Sequence, residues 1–129
     1  MIKEKYQYSA LTAKIIRCAM EVHNHLGNGF QEVIYQRALS IELNLKGIDH
    51  LRELEISLQY KDYEIGSRRV DFLVSGKIMV EIKAIKELED VHLAQAINYL
   101  EAYNLHVGLL INFGNTKLQF RRLMKPEKS

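Results

Sequence analysis

The chain has 129 residues, of which 47% are hydrophobic and 26% are charged, and its formal net charge is +2. This composition excludes a disordered or fibrous protein, and the length suits one domain over residues 1–129, with a core at about 9–123 and a polar tail at 124–129. No apolar run is long enough to span a membrane and the first ten residues are too polar for a secretory signal, so we expect a cytoplasmic protein.

The first predicted element is a helix. Apolar residues recur at steps of three and four between Leu11 and Leu26, and Ser9 or Thr12 can cap the start of the helix. Cys18, the single cysteine, cannot form an internal disulfide and lies on the apolar side of this pattern. We therefore expect it in the core.

A second helix is predicted to begin near Phe30, after an Asn-Gly turn, and to end at Gly47. Glu32 lies in its first turn, where a carboxylate interacts favourably with the helix dipole, and Tyr35 follows on nearly the same face. Taken alone, Glu32 can simply be the N-terminal charge of a helix. The apolar stripe expected to face the core consists of Ile34, Ala38, Ile41 and Leu45.

Three strands are predicted next. Residues 51–60 alternate apolar and polar side chains, which is typical of a strand with one wet face. The polar segment 61–67 leads into residues 69–84, RVDFLVSGKIMVEIKA, which contain two apolar runs joined by a polar stretch with a glycine. This pattern predicts a hairpin of two strands.

Three ionisable side chains interrupt the apolar runs of that hairpin. Glu81 and Lys83 are two residues apart and therefore project from one face. A three-residue loop at 75–77 pairs Asp71 with Glu81, whereas a two-residue loop at 76–77 puts Asp71 on the other face. We expect the three-residue loop or an equivalent bulge.

Converging carboxylates repel each other, and a divalent cation such as Mg²⁺ or Mn²⁺ relieves the repulsion. Lys83, one pleat further along, can hold a water or a phosphate oxygen at that cation. Together these groups fit metal-assisted hydrolysis of a phosphodiester. The structural alternative is a Glu–Lys ion pair at the end of a strand.

The rest of the chain is predicted to form a helix and two strands. The helix covers residues 91–103, and His92, Gln95 and Tyr99 form one polar and aromatic stripe along it. The apolar run 107–113 fits a strand covered on both faces, and a final strand is predicted near 118–123. A helix between strands favours a mixed sheet with helices packed on it.

Basic residues cluster on both sides of the hairpin and near the end of the chain. Arg69 precedes the hairpin and Lys86 follows it. These residues allow a polyanionic partner, although a solvated surface has the same pattern.

Three motifs together resemble a known family. Residues 29–35, GFQEVIY, resemble the GxxExxY signature of small bacterial and archaeal proteins placed in the PD-(D/E)XK nuclease superfamily. Asp71 followed by residues 81–83 resembles the core motif of that superfamily, with Val70 in place of the motif's proline. Residues 95–99, QAINY, resemble the QxxxY motif of RecB-like nucleases. The resemblance extends from about Tyr8 to about residue 123.

The resemblance implies a restriction-endonuclease-like α/β fold with an αβββαβ core and a mixed central sheet flanked by helices. It implies that Asp71, Glu81 and the backbone carbonyl of Ile82 bind Mg²⁺ or Mn²⁺. It further implies that Lys83 orients the attacking water or stabilises the phosphate, and that Glu32 is an additional metal ligand or lies just outside the ligands.

Other residues are expected to support the site or to contact the nucleic acid. Gln95 and Tyr99 are implied by the RecB-like motif, and Tyr35 by the GxxExxY signature. His92 is a candidate for the extra metal ligand that some RecB-like enzymes carry.

The expected function is a metal-dependent nuclease that hydrolyses phosphodiester bonds of nucleic acid, DNA rather than RNA. Since a domain of this size has little surface for a long duplex, we expect a homodimer or a partner protein. Two alternatives stay open at this point: a junction-resolving endonuclease, and a non-catalytic nucleic-acid-binding or regulatory module of the same fold.

Overall fold

The computed structural model describes residues 8–126. The order of two helices, three strands, one helix and two strands, predicted above, is confirmed. The elements are α1 (Ser9–Leu26), α2 (Glu32–Leu45), β1 (His50–Tyr60), β2 (Tyr63–Val74), β3 (Ile78–Lys83), α3 (Asp90–Ala102), β4 (Val107–Asn112) and β5 (Gln119–Met124).

The strands form one mixed sheet in the order β1-β2-β3-β4-β5. β3 and β4 are parallel because α3 carries the chain across between them, and every other neighbouring pair is antiparallel. The predicted α/β fold class is therefore confirmed. None of the helices within residues 8–126 is long and apolar enough to cross a bilayer.

Helices cover both faces of the sheet. α1 and α2 pack on one face and share a core with Phe72, Val80 and Ile82, and α3 packs on the other face against Val70 and Met79. β4 lies between the helices on the two faces of the sheet, and all six of its residues are buried. The expectation that this strand is covered on both faces is confirmed.

α1 follows the predicted pattern except at its first turn. Cys18 is buried in the core, and burial raises the pKa of its thiol. The predicted cap is wrong: Tyr8, in a left-handed conformation, precedes the helix, and Ser9 is its first residue. The Thr12 hydroxyl donates a hydrogen bond to the Ser9 carbonyl from inside the helix, at 3.0 Å.

The prediction of which residues of α2 are buried is wrong, and the observed buried stripe is shifted by about one position along the helix. Ile41 and Leu45, expected in the core, are 60% and 72% exposed, whereas Tyr35, Leu39 and Leu43 are fully buried. Both apolar sets have the spacing of one helical face. The packing of α2 against α1 and the sheet decides which set is buried.

β2 is longer than the sequence indicates. The polar segment 61–67, expected to be a connector, forms a two-residue turn at Lys61 and Asp62 and then the first part of β2. Both turn residues have positive φ, as a type I′ hairpin turn requires. Backbone hydrogen bonds to β1 extend the strand, and they require no apolar side chains.

The β2–β3 hairpin has the three-residue loop predicted above. Val74 pairs with Ile78 and Phe72 pairs with Val80. The predicted pair of Asp71 with Glu81 is not formed, because the pairing ends at Phe72 and β2 separates from β3 at the position of Asp71. This separation opens the sheet beside the predicted catalytic residues.

In β1 and β2, the regular alternation of side chains between the two faces of the sheet is also interrupted at this point. Regular alternation would put Val70 and Phe72 on one face, yet Val70 packs on the α3 side and Phe72 on the α1/α2 side. The ladder between β1 and β2 skips the pair Glu53 and Asp71, and Glu53 has φ of 56°. A sharp local twist therefore lies at Asp71.

Candidate active site

Asp71 lies where β2 leaves β3, and its carboxylate takes up the space between the two strands. Oδ2 accepts a hydrogen bond of 2.8 Å from the backbone amide of Ile82, and Oδ1 accepts one of 2.8 Å from Nε2 of Gln36 on α2. A carboxylate with two such donors has a fixed orientation. Gln36 is a site residue that the sequence analysis missed.

Glu81 is almost completely buried, with 2% of its surface exposed. Its Oε2 lies 3.4 Å from Nη2 of Arg68, and its Oε1 has no hydrogen-bond partner among the described residues. Burial and, after it, the neighbouring Asp71 carboxylate raise the pKa of Glu81 to about 8, although the positive charges of Arg68 and Lys83 act to lower it. The positive charges of Arg68 and Lys83 therefore do not fully offset the burial of Glu81 and its proximity to Asp71.

This donor set fits a hard divalent cation. Two adjacent carboxylates, one with an unpartnered buried oxygen, are relieved either by a proton or by a metal ion. In an extended strand the N–H and C=O of one residue point to the same side, so the Ile82 carbonyl is directed toward Asp71 like its amide. Mg²⁺ commonly binds a few protein oxygens and keeps several waters.

A complete cage of side chains is not preformed. Within residues 8–126, no group of three or more His, Cys, Asp or Glu side chains lies close enough to hold a metal ion. Glu32, in the first turn of α2, is near but does not complete such a group. Partial burial raises the pKa of Glu32, Lys83 opposes this, and Asp71 adds to it.

Lys83 and the α3 stripe border a narrow crevice beside Glu81. The crevice has a volume of about 10 Å³, and a larger groove of about 750 Å³ lies between α1 and α2, away from the carboxylates. The candidate site is therefore at the carboxylates and not in the larger groove. The residues that line the crevice are Arg68, Glu81, Lys83, His92, Gln95, Ala96, Tyr99 and Leu110.

The structure thus brings the stripe of α3 to the strand that carries Glu81. Gln95 and Tyr99 lie at the crevice, as does His92. His92 also has a local role, because its Nδ1 accepts a hydrogen bond of 2.9 Å from the backbone amide of Glu89 at the start of α3. This nitrogen is therefore engaged in capping the helix.

Arg68 is the second site residue that the sequence analysis missed. Its guanidinium lies over the ring of Tyr99, with Cζ 4.8 Å from the ring centroid, and beside Glu81. It also donates a hydrogen bond to the backbone carbonyl of Arg69. No sequence signal pointed to it, because regular alternation along β2 would put Arg68 on the face of Phe72, away from Glu81.

Tyr35 supports the site from within the core. Its hydroxyl donates to the Gly27 carbonyl at 2.6 Å and accepts from the Phe30 amide at 3.1 Å, and its ring stacks on Phe113 with centroids 4.7 Å apart. The side chain has no exposed surface to offer a nucleic acid. It fixes the loop that leads into α2 and hence the position of Glu32.

Two basic residues lie apart from the crevice. Arg69 is exposed and pairs with Glu53 at 3.1 Å. Lys86 is exposed in the loop before α3, where its carbonyl accepts a hydrogen bond from the Asn115 side chain. The structure therefore places Arg68, and not Arg69, beside the carboxylates.

Comparison with known proteins identifies the fold. A family model for the PD-(D/E)XK nuclease superfamily matches residues 9–123. A solved structure, "Crystal structure of SSO0001", is similar with a TM-score of 0.56 and 17% sequence identity. The similarity covers 95% of this chain and 61% of that chain, so the present chain spans less than two thirds of its length. No curated protein matches the sequence.

Proposed function

This chain belongs to the PD-(D/E)XK nuclease superfamily, and we propose that it is a Mg²⁺- or Mn²⁺-dependent deoxyribonuclease. The observation that carries the proposal is the meeting of Asp71 with a buried Glu81 whose Oε1 has no partner within residues 8–126. Burial of two adjacent carboxylates lowers stability, and a domain that neither binds a cation nor catalyses a reaction has no evident use for such a pair. We also propose that the chain belongs to the GxxExxY family and is related to RecB-like nucleases, as residues 29–35 and 95–99 indicate.

Each residue has a role that follows from its position. Asp71, Glu81 and the Ile82 carbonyl would hold the cation, which when bound activates a water and neutralises charge on the phosphate. Lys83 projects from the face of β3 that carries Glu81, so its ammonium orients the attacking water or a phosphate oxygen. Glu32 is near enough to Lys83 and Asp71 for their charges to affect its pKa, so it would be an additional metal ligand or lie just outside the ligands.

The proposed substrate is DNA bound through its backbone. Gln95 and Tyr99 line the crevice from α3 and support contact with the phosphate chain. We expect recognition of the DNA backbone or shape and not of base edges. A homodimer or a partner protein would supply the surface that a long or branched duplex requires.

Cleavage assays test the proposal. The protein is incubated with single-stranded, duplex and branched DNA in Mg²⁺ or Mn²⁺, and Asp71→Asn and Lys83→Ala are each expected to slow cleavage at least about a hundredfold. Asp62→Asn, which makes the same change in the exposed β1–β2 turn, is the matched control. Preference for branched DNA would identify a junction-resolving enzyme.

Calorimetric titration with Mn²⁺ separates the enzyme from a binding module. We expect binding that Glu81→Gln weakens by at least about tenfold. A protein that binds DNA equally well with and without metal and cuts none of the substrates would be the non-catalytic module.

A further inference from the structure

We propose that Arg68 is a phosphate-binding residue that the metal-free protein holds against Glu81. In this proposal, Asp71 and Glu81 would hold a divalent cation, and the Arg68 guanidinium would then leave Glu81 and donate to a phosphate oxygen of the substrate. The inference rests on the metal site of the proposed function, and it adds a residue and a metal-controlled step to that site.

The first reason is that Arg68 and a hydrated cation need the same carboxylate. The Arg68–Glu81 contact of 3.4 Å is long for a charge-assisted hydrogen bond, which is usually 2.7–2.9 Å. Arg68 contacts the same Glu81 carboxylate that is proposed to bind the ion, and it lines the crevice beside that carboxylate. Since Mg²⁺ usually keeps several waters, a guanidinium in contact with its carboxylate ligand would have to move away when the ion binds.

The second reason is the position that remains for the guanidinium after release. The guanidinium of Arg68 lies over the ring of Tyr99, with Cζ 4.8 Å from the ring centroid, and this cation–π contact does not depend on Glu81. Nη1 donates to the Arg69 carbonyl and Nη2 contacts Glu81, so release from Glu81 makes Nη2 available to a phosphate oxygen. The Arg68 side chain is 33% exposed, so a ligand can reach it.

The third reason is charge. The Asp71 carboxylate repels a phosphodiester in the metal-free protein, and Arg68 is then occupied with Glu81. Once a cation neutralises the site, Arg68 and Lys83, which both line the crevice beside Glu81, attract the substrate. DNA binding should therefore depend on metal through Arg68.

The sign of the effect on metal affinity separates this role from a merely structural one. A divalent ion adds two positive charges near Arg68, or one if it displaces a proton from Glu81. Removal of the Arg68 charge therefore increases the affinity for the metal ion in either case. We expect Arg68→Gln to bind Mn²⁺ about threefold to tenfold more tightly than the wild type. A residue that only supports the site would weaken binding when removed.

The experiment measures metal and DNA binding separately. Mn²⁺ alone is titrated calorimetrically into the wild type, Arg68→Gln and Arg68→Lys. Arg69→Gln removes the same charge from the neighbouring residue, which pairs with Glu53, and should change Mn²⁺ affinity by less than about twofold. Arg68→Lys keeps the charge and should also stay within about twofold. Thermal unfolding checks that each variant is folded.

DNA binding is then followed by fluorescence anisotropy in a Lys83→Ala background, which lacks cleavage but keeps the metal ligands. With Mg²⁺, Arg68→Gln should weaken binding of a duplex oligonucleotide about tenfold and reduce the slope of log affinity against log salt by about one. With EDTA in place of Mg²⁺, the same substitution should have less than about a twofold effect, because Arg68 is then held by Glu81.

The outcomes distinguish this inference from the proposed function. Tighter Mn²⁺ binding and a metal-dependent loss of DNA affinity in Arg68→Gln support the inference, even if the wild type cuts none of the substrates offered. Weaker Mn²⁺ binding in Arg68→Gln, or an equal DNA defect with and without metal, overturns it while wild-type cleavage keeps the nuclease proposal intact. A wild type that binds no Mn²⁺ overturns both. If Arg68→Gln does not fold, a weaker Mn²⁺ affinity in Arg68→Lys is the overturning result.

Discussion

Replacement of Glu81 by glutamine should stabilise the metal-free protein at high pH. The pKa of Glu81 is raised to about 8, first by burial and then by Asp71. Between a pH of about 4.5, where the unfolded chain ionises this group, and about 8, the folded state holds a proton that the unfolded state has lost. Folding stability therefore falls as the pH rises through this window.

The magnitude follows from the two pKa values. A rise from 4.5 to about 8 corresponds to at most about 5 kcal/mol of unfolding free energy, and we expect a loss of about 2 to 5 kcal/mol across the window. Glutamine has the shape of the protonated carboxyl and, like it, can donate to Asp71. Glu81→Gln should therefore match the wild type near pH 4.5 and exceed its stability at pH 8.5.

Urea denaturation in EDTA at pH values from 4.5 to 8.5 measures this effect. Glu55→Gln, at an exposed position of β1, is the control and should follow the wild-type curve. Addition of Mg²⁺ at pH 8.5 should stabilise the wild type more than Glu81→Gln, since a ligand that binds only the folded state raises its stability. The reasoning is refuted if the stabilities of wild type and Glu81→Gln differ by a constant amount at every pH.

Three further substitutions test residues that hold the site or its surrounding loops in place. Tyr35→Phe loses two buried hydrogen bonds and should lower the unfolding free energy by about 1 to 3 kcal/mol, measured by urea denaturation. Gly114→Ala should cost about 1 to 3 kcal/mol, because a Cβ would lie 2.3 Å from the Ile85 carbonyl oxygen, whereas Gly66→Ala meets nothing within 4 Å and is the control. Gln36→Leu removes one of two hydrogen bonds that orient a proposed metal ligand, so calorimetry should show Mn²⁺ affinity lowered about tenfold with stability changed by less than about 1 kcal/mol.

Features with local causes were predictable from the sequence. The turn between β2 and β3 follows from a glycine in a short polar stretch, and Gly76 has the positive φ that such a turn requires. Its three-residue length follows from the expectation that Asp71 converges with Glu81 and Lys83. The stripe of His92, Gln95 and Tyr99 followed from helical spacing alone, and it lies at the crevice beside Glu81. In both cases the controlling interactions lie within a few residues of one another.

Features decided by distant parts of the chain were not predictable in the same way. α2 carries two apolar sets with helical spacing, and only the packing with α1 and the sheet buries Leu39 and Leu43 in place of Ile41 and Leu45. The polar residues 63–67 join β2 because β1 supplies backbone partners. Gln36 gave no signal, since a glutamine in a helix is ordinary until its partner across the core is known.

The interruption of side-chain alternation at Asp71 explains how the site forms and why Arg68 was not predicted to be part of it. If β2 alternated regularly, Arg68 would share the face of Phe72 on the α1/α2 side, and Tyr99 and Glu81 would be out of its reach. Because the strand twists at Asp71, Arg68 lies on the α3 side while the Asp71 carboxylate turns between the strands to the Ile82 amide. One distortion of the backbone thus brings together an anion from β2, an anion from β3 and a cation that pairs with Glu81. Straightening β2 at Glu53 and Asp71 would therefore remove both the proposed metal site and the proposed phosphate contact.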